Sequence, residues 1–119
     1  MDKEELRRRT KTFALRVLRL VRALPRDLAA KAIGNQLVRS GTSVGANYRS
    51  SLRARSRAEW LSKLTICLEE ADESVYWLEL IAEDEILPPD RVEPLHKEAE
   101  ELTAIFAAAV KTTKQGKAI

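Results

Sequence analysis

Apolar residues return every three or four positions along most of this chain, the step of one face of an α-helix. Leu6, Phe13, Val17, Leu20 and Leu24 keep that step, with Ala14 and Val21 beside them, so a first helix is predicted over about 4–24. Pro25 ends it or starts the next. Leu28, Ala32, Ile33 and Leu37 then mark a second apolar face, with Asp27 as a first-turn acid.

The least ordinary segment follows, Arg39-Ser40-Gly41-Thr42-Ser43-Val44-Gly45-Ala46-Asn47-Tyr48-Arg49. Each Gly inside a helix costs roughly 1 kcal/mol relative to Ala, so Gly41 and Gly45, one turn apart, need a break or a packing reason. One reading is a Ser/Thr/Gly loop. The other is continuity: Ile33, Leu37, Val44, Tyr48 and Leu52 hold a helical phase across the glycines, with Ser40 at the missing step. Continuity is favoured, giving a second helix over about 26–54. On it Gly34, Val38, Gly41 and Gly45 form a small-residue groove that another helix can approach closely.

Ser56 and Glu59 have the spacing of a capping box, which starts a third helix over about 57–84. Trp60, Leu64, Cys67, Leu68, Ala71, Val75, Leu78 and Ala82 lie on one wide face, and Ile66, Trp77, Leu80 and Ile81 around a second. Two apolar faces imply contact on two sides. Leu87-Pro88-Pro89-Asp90 makes a sharp connection. Asp90 with Glu93 reads as a second capping box, opening a fourth helix over about 91–113 that carries Val92, Leu95, Ala99, Leu102, Phe106 and Ala109. The tail from Lys114 to Ile119 is expected to fray. Four helices with short connections predict a single all-α domain, an antiparallel up-down-up-down four-helix bundle.

Composition agrees: 119 residues suit one core, and 33% charged residues with four Gly and four Pro suit long helices. Cys67 stands alone, so no disulfide framework forms. No run is long and apolar enough to span a membrane, and arginines interrupt Leu6 to Leu24, so a soluble cytoplasmic protein is expected. The net charge of +3 conceals a division: residues 1–63 carry 16 Lys/Arg against 5 Asp/Glu, and residues 64–119 carry 5 against 13. Either the two surfaces pair, within a chain or between copies, or the basic one meets a polyanion.

The middle of the chain resembles a known family. The Arg39–Arg49 segment with Ser56, Glu59-Trp60, Lys63-Leu64, Glu69-Glu70, Glu73 and Tyr76-Trp77-Leu78-Glu79-Leu80-Ile81 resembles the four-helix bundle proteins encoded in intervening sequences of bacterial large-subunit (23S) ribosomal RNA genes. That resemblance implies a small all-α protein assembling as a ring, typically a homopentamer, with no known enzymatic activity. The fold is also similar to the accessory variability protein of diversity-generating retroelements, a basic pentameric barrel that binds nucleic acid and a reverse transcriptase. The partners it implies are further copies of the chain, RNA or DNA, and a protein such as a reverse transcriptase. Asn47 and Tyr48 carry over as a structural or interface motif. Ser50 stands where family members usually have Glu.

Catalytic and metal chemistry find little support. Glu93-Pro94-Leu95-His96 has the Glu-x-x-His spacing of di-iron sites, but such a site needs two copies of it, and His96 is the only histidine. An exposed first-turn His96 and no metal are expected. Cys67, between Leu64 and Leu68, reads as an inert core residue. Gly41-x-x-x-Gly45 lacks the Lys-Ser/Thr of a phosphate loop. Glu69 and Glu73 read as surface charges. No cofactor or enzymatic activity is expected. Trp60 and Trp77 join Gly41, Gly45, Asn47 and Tyr48 as structural or interface positions, Asn47 as a buried polar residue that fixes register.

The basic stripe is the remaining feature with functional content. At 100° per residue Arg8, Lys11, Arg19, Arg22 and Arg26 fall opposite the apolar face of the first helix. Arg53, Arg55 and Arg57 form a second cluster near the next turn. All are candidates for phosphate contacts that read no sequence. The reading is a non-enzymatic, self-assembling bundle that binds nucleic acid weakly. The alternative is a protein-binding scaffold whose charge split serves subunit assembly.

Overall fold

The computed structural model describes residues 1–116, and among them finds four helices and no strand: α1 (Lys3–Arg22), α2 (Leu28–Ser51), α3 (Arg57–Glu83) and α4 (Pro89–Lys114). Each connection spans five residues, too short for anything but antiparallel neighbours. The rod they make measures 46 × 20 × 20 Å. α3 packs on both α2 and α4, α1 packs mainly on α2, and the α1–α4 contact is the lightest. The two apolar sides of α3 are therefore largely satisfied within the chain, and Ile81 belongs to the core. Ile66 and Leu80 stay half-exposed on its outer surface.

Local chemistry sets the helix ends. Asp2, Asp27 and Ser56 are N-caps whose side chains accept from the amides of Glu5, Ala30 and Glu59. Asp27 thus precedes α2, and α1 stops at Arg22, before Pro25. The fourth helix departs from expectation: Pro88 is its N-cap with no side-chain cap, and Asp90 lies inside the first turn. Pro89 explains this, because at the first helical position its missing N–H is one that no helix bond requires. α3 ends with the Ile86 amide bonded to the Ile81 carbonyl and the Glu85 amide to that of Ala82. This 6→1 and 5→2 pattern puts Glu85 in the left-handed region at φ 55°, a place usually held by Gly. Lys114 closes α4 rather than fraying, Gly116 follows at φ 78°, and the rest of the tail lies outside the described residues.

α2 runs unbroken through Gly41 and Gly45, and α1 of the same chain is what fills the groove. A Cβ on Gly41 would lie 2.8 Å from Val17 Cγ2, and one on Gly45 3.3 Å from the Thr10 backbone. Further along, one on Gly34 would lie 3.1 Å from Leu24 Cδ1. Thr10 and Val17 are seven residues apart on α1, and Leu24, seven further on, lies just past its end, so one ridge of α1 and the start of the connection bed along the bare side of α2.

The core fills from all four helices, with Phe13, Leu37, Leu64, Leu78, Leu102 and Phe106 fully buried. Tyr48 is buried against Phe106, ring centroids 5.7 Å apart. Register between α2 and α3 is marked by a buried hydroxyl pair, Ser40 Oγ to Ser74 Oγ at 2.8 Å. Asn47 does not take that part: it is half-buried and its Nδ2 donates to Ser43 O of its own helix. The α1–α4 seam is held by Arg9, which donates twice to Glu98 and once to Glu101, each at 2.7 Å.

Candidate functional site

α1 is the outer ridge of the basic half. Its buried residues are Leu6, Thr10, Phe13, Val17 and Leu20, which leaves Arg8, Lys11, Arg19 and Arg22 exposed on the far side. Arg26 is exposed in the connection to α2. None of these five forms an ion pair among the described residues, whose cross-helix pairs use Arg9, Arg39 and His96 instead. Leu15, 44% exposed, sits in the middle of the stripe.

The stripe is divided between two flanks. Towards α2, Arg7, Lys11 and Arg49 surround a cleft of about 180 Å³ floored by Ala14, Thr42, Gly45 and Ala46. Also towards α2, near the α1–α2 connection, Arg22, Arg26 and Lys31 surround a cleft of about 470 Å³ floored by Val21, Ala30 and Gly34. Towards α4, Arg16, Arg19 and Arg91 line a third, of about 230 Å³, with Leu20, Pro94 and Leu95. No carboxylate lines any of the three.

The second predicted cluster does not assemble as one. Arg57 NH2 donates to the Thr113 carbonyl at 2.6 Å, so it caps the end of α4. Arg55 is paired with Glu59 at 3.6 Å, and Arg53 is exposed. Trp60 lies beside this junction, half-buried, its Nε1 donating to Thr113 Oγ1 at 3.3 Å and Lys3 Nζ standing 5.2 Å from its ring.

The family model described as 23S rRNA-intervening sequence protein matches residues 3–108. The chain belongs to that family. It is also similar to a crystallised protein of unknown function from the S23 ribosomal protein family of Bacteroides thetaiotaomicron VPI-5482. The two are 33% identical, with a TM-score of 0.85 over 94% of this chain and 100% of the other. None of the curated proteins matches.

On the opposite side of this family member the surface is acidic. Arg39 bonds Glu70 at 2.8 Å and also Glu73, which accepts from Trp77 Nε1 at 2.9 Å. Tyr76, 52% exposed, stands edge-on to Trp77, so both aromatics sit at the surface of α3. Glu69, Asp72 and Glu83 are exposed nearby. His96 is half-buried rather than exposed, turned towards α3, with Nε2 3.3 Å from Glu79 and Nδ1 3.4 Å from Glu100. No group of three potential ligands that could hold a metal occurs among the described residues. Cys67 is fully buried and donates to the Val44 carbonyl at 3.5 Å; burial pushes its thiol up to about 12, far from a reactive thiolate. No helix among the described residues is long and apolar enough to cross a membrane.

Five cations that line the clefts, Arg7, Arg16, Lys31, Arg49 and Arg91, are absent from the predicted stripe. Arg49 had a legible signal, since it lies one turn beyond Gly45 on the helix that the glycine phase makes continuous. Arg91 had none, being brought to Arg16 and Arg19 only by the α1–α4 packing.

Proposed function

We propose that this protein is a non-enzymatic bundle that assembles with copies of itself, into a ring of five by family resemblance, and binds RNA or DNA through phosphate contacts. The observation that carries this is the exposed row Arg8, Lys11, Arg19, Arg22 and Arg26, which makes no ion pair among the described residues. Unneutralised cations at that density attract a polyanion without reading its sequence. Assembly draws support from the outer face of α3, where Ile66, Tyr76 and Leu80 stay partly exposed among acids. Labelled RNA and DNA titrated at several salt concentrations test the binding. Affinity is expected to fall steeply with salt and to drop when Arg19 and Arg22 are changed to Glu. Light scattering that returns a 13.4 kDa particle at micromolar concentration would defeat the assembly.

The same acidic face favours a second reading, a scaffold in which Glu69, Asp72 and Glu83 receive the α1 cations of another copy or a protein partner. An intact oligomer that binds no nucleic acid even at low salt would select it. Its mass would then itself fall as salt rises.

A further inference from the structure

Resting on the nucleic-acid reading, we propose that the bound strand runs along the outer α1–α2 seam, anchored near each end by a cation-ringed cleft. On α1 the cleft residues Arg7, Lys11, Ala14, Val21 and Arg22 recur at helical steps that keep to one flank. Arg49, Ala46, Thr42, Asn35 and Lys31 do the same on α2. The two clefts therefore lie on one line, parallel to both helices.

Three features favour this line over the α1–α4 flank. Among the described residues a carboxylate pairs with one cation of these two clefts, Arg7, and does so from its own helix (Glu4, 3.0 Å), whereas the α1–α4 seam is crossed by Glu98 and Glu101 on Arg9. The floors are small, Gly45 and Ala46 in one and Ala30 and Gly34 in the other, so a phosphate can come close to the helices. The cations also come from two helices whose spacing is fixed by the glycine packing beneath them. No aromatic residue lines either cleft, so bases have no stacking platform and phosphates carry the contact.

The seam also has a length. At 1.5 Å per residue the clefts are separated by about 16 Å from Lys11 to Arg22 and about 27 Å from Arg49 to Lys31. At about 3.4 Å per nucleotide of a stacked strand, that is about five to eight nucleotides. A shorter strand reaches one cleft only.

The test is fluorescence anisotropy of the full chain at low salt, with RNA and DNA strands of about 4 and about 15 nucleotides, the lengths set by that span. Ala46→Glu puts a carboxylate in the first cleft and Asn35→Glu one in the second. Thr12→Glu makes the same charge change one turn from Arg8, Arg9 and Arg16, away from the α2 flank. All three positions are exposed, so the helices stay formed, which circular dichroism checks. Ala46→Glu and Asn35→Glu are each expected to weaken the long strand roughly tenfold and Thr12→Glu less than about threefold, the repulsion being local at short screening lengths. The short strand is expected to bind at least about tenfold more weakly than the long one, having lost one set of phosphate contacts. Replacing Lys11 and Arg49 together by Gln should reduce the slope of log affinity against log salt by about 1.4 for a single strand. Equal losses in the three Glu variants, or an unchanged slope, would overturn the seam while leaving nucleic-acid binding in place. A wild-type chain that binds neither strand would overturn both. Comparison of the RNA and DNA arms identifies the preferred sugar.

Discussion

The two ends of the helix order are packed in opposite ways. Where α1 meets α2, one partner has been stripped to Gly34, Gly41 and Gly45, and Val17 and the Thr10 backbone come within a methyl group's reach of the other helix. Where α3 meets α4 the contact is made by large side chains, Leu64, Leu78 and Ile81 with Leu102 and Phe106, all fully buried. A glycine seam gains closeness and gives up buried area; a side-chain seam gains area and tolerates a wider spacing. The difference continues to the surface, because α1–α2 is flanked by cations, of which among the described residues only Arg7 is ion-paired, and α3–α4 by carboxylates. Stability should therefore be more sensitive to removing atoms on the α3–α4 side and more sensitive to adding them on the α1–α2 side.

The largest effect is expected from Phe106→Ala. Phe106 is fully buried, and its ring packs against Tyr48 of α2. Its truncation should cost about 3–5 kcal/mol in chemical denaturation. A loss below about 1 kcal/mol would mean that the side can collapse, and the contrast between the seams would fail.

Gly41→Ala probes the other seam with a single added methyl. Its Cβ would sit 2.8 Å from Val17, whose side chain is fully buried. Overpacking costs about 1–3 kcal/mol, against a gain of about 1 kcal/mol in helix propensity. A net loss of up to about 2 kcal/mol in urea unfolding is expected, and Val17→Ala in the same chain should relieve the clash.

That contrast also marks what could be read in the sequence. The four helices were legible because each apolar series keeps its phase, and α2 was legible across its glycines because Leu37, Val44 and Tyr48 did not shift. The occupant of the groove was not, since a small-residue stripe states that something comes close without stating what. Pro88-Pro89 hid the start of α4, because a proline at the first helical position and a proline in a loop are the same letters. Of the candidate site, the exposure of Arg8, Lys11, Arg19 and Arg22 followed from the 100° step alone. Their division between two flanks did not, because it depends on which neighbours α1 packs against. The bond of Arg57 was hidden for the same reason: its acceptor, the Thr113 carbonyl, is 56 residues away.

Alkaline pH sharpens the comparison from the side of α3. Burial raises the Cys67 thiol from an ordinary 9.0 to about 12, so the native chain keeps a proton that the unfolded chain releases. Stability linked to Cys67 is thus fully present below pH 9 and falls as pH rises from there towards 12. One pH unit into that window the loss should be about 1 kcal/mol, and Cys67→Ala should flatten this part of the profile. Unfolding followed from pH 8 to 10 measures it; identical slopes in the two proteins would mean that the thiol ionises freely in the native state.

Gly34→Ala should give the smallest change and the opposite sign. Its Cβ would meet the end of the Leu24 side chain at 3.1 Å, with Val21 next at 3.4 Å, and Leu24 is only half-buried beside the α1–α2 connection. A terminal methyl there can turn aside, as the enclosed Val17 beneath Gly41 cannot. The propensity gain of up to about 1 kcal/mol should then outweigh the contact, and the melting temperature should rise. Because Gly34 also floors the larger cationic cleft, the same variant reports on function: a narrower floor should weaken nucleic-acid binding while the fold gains stability. A simultaneous loss of stability would show that the whole seam, and not only its Val17 contact, is packed to the limit.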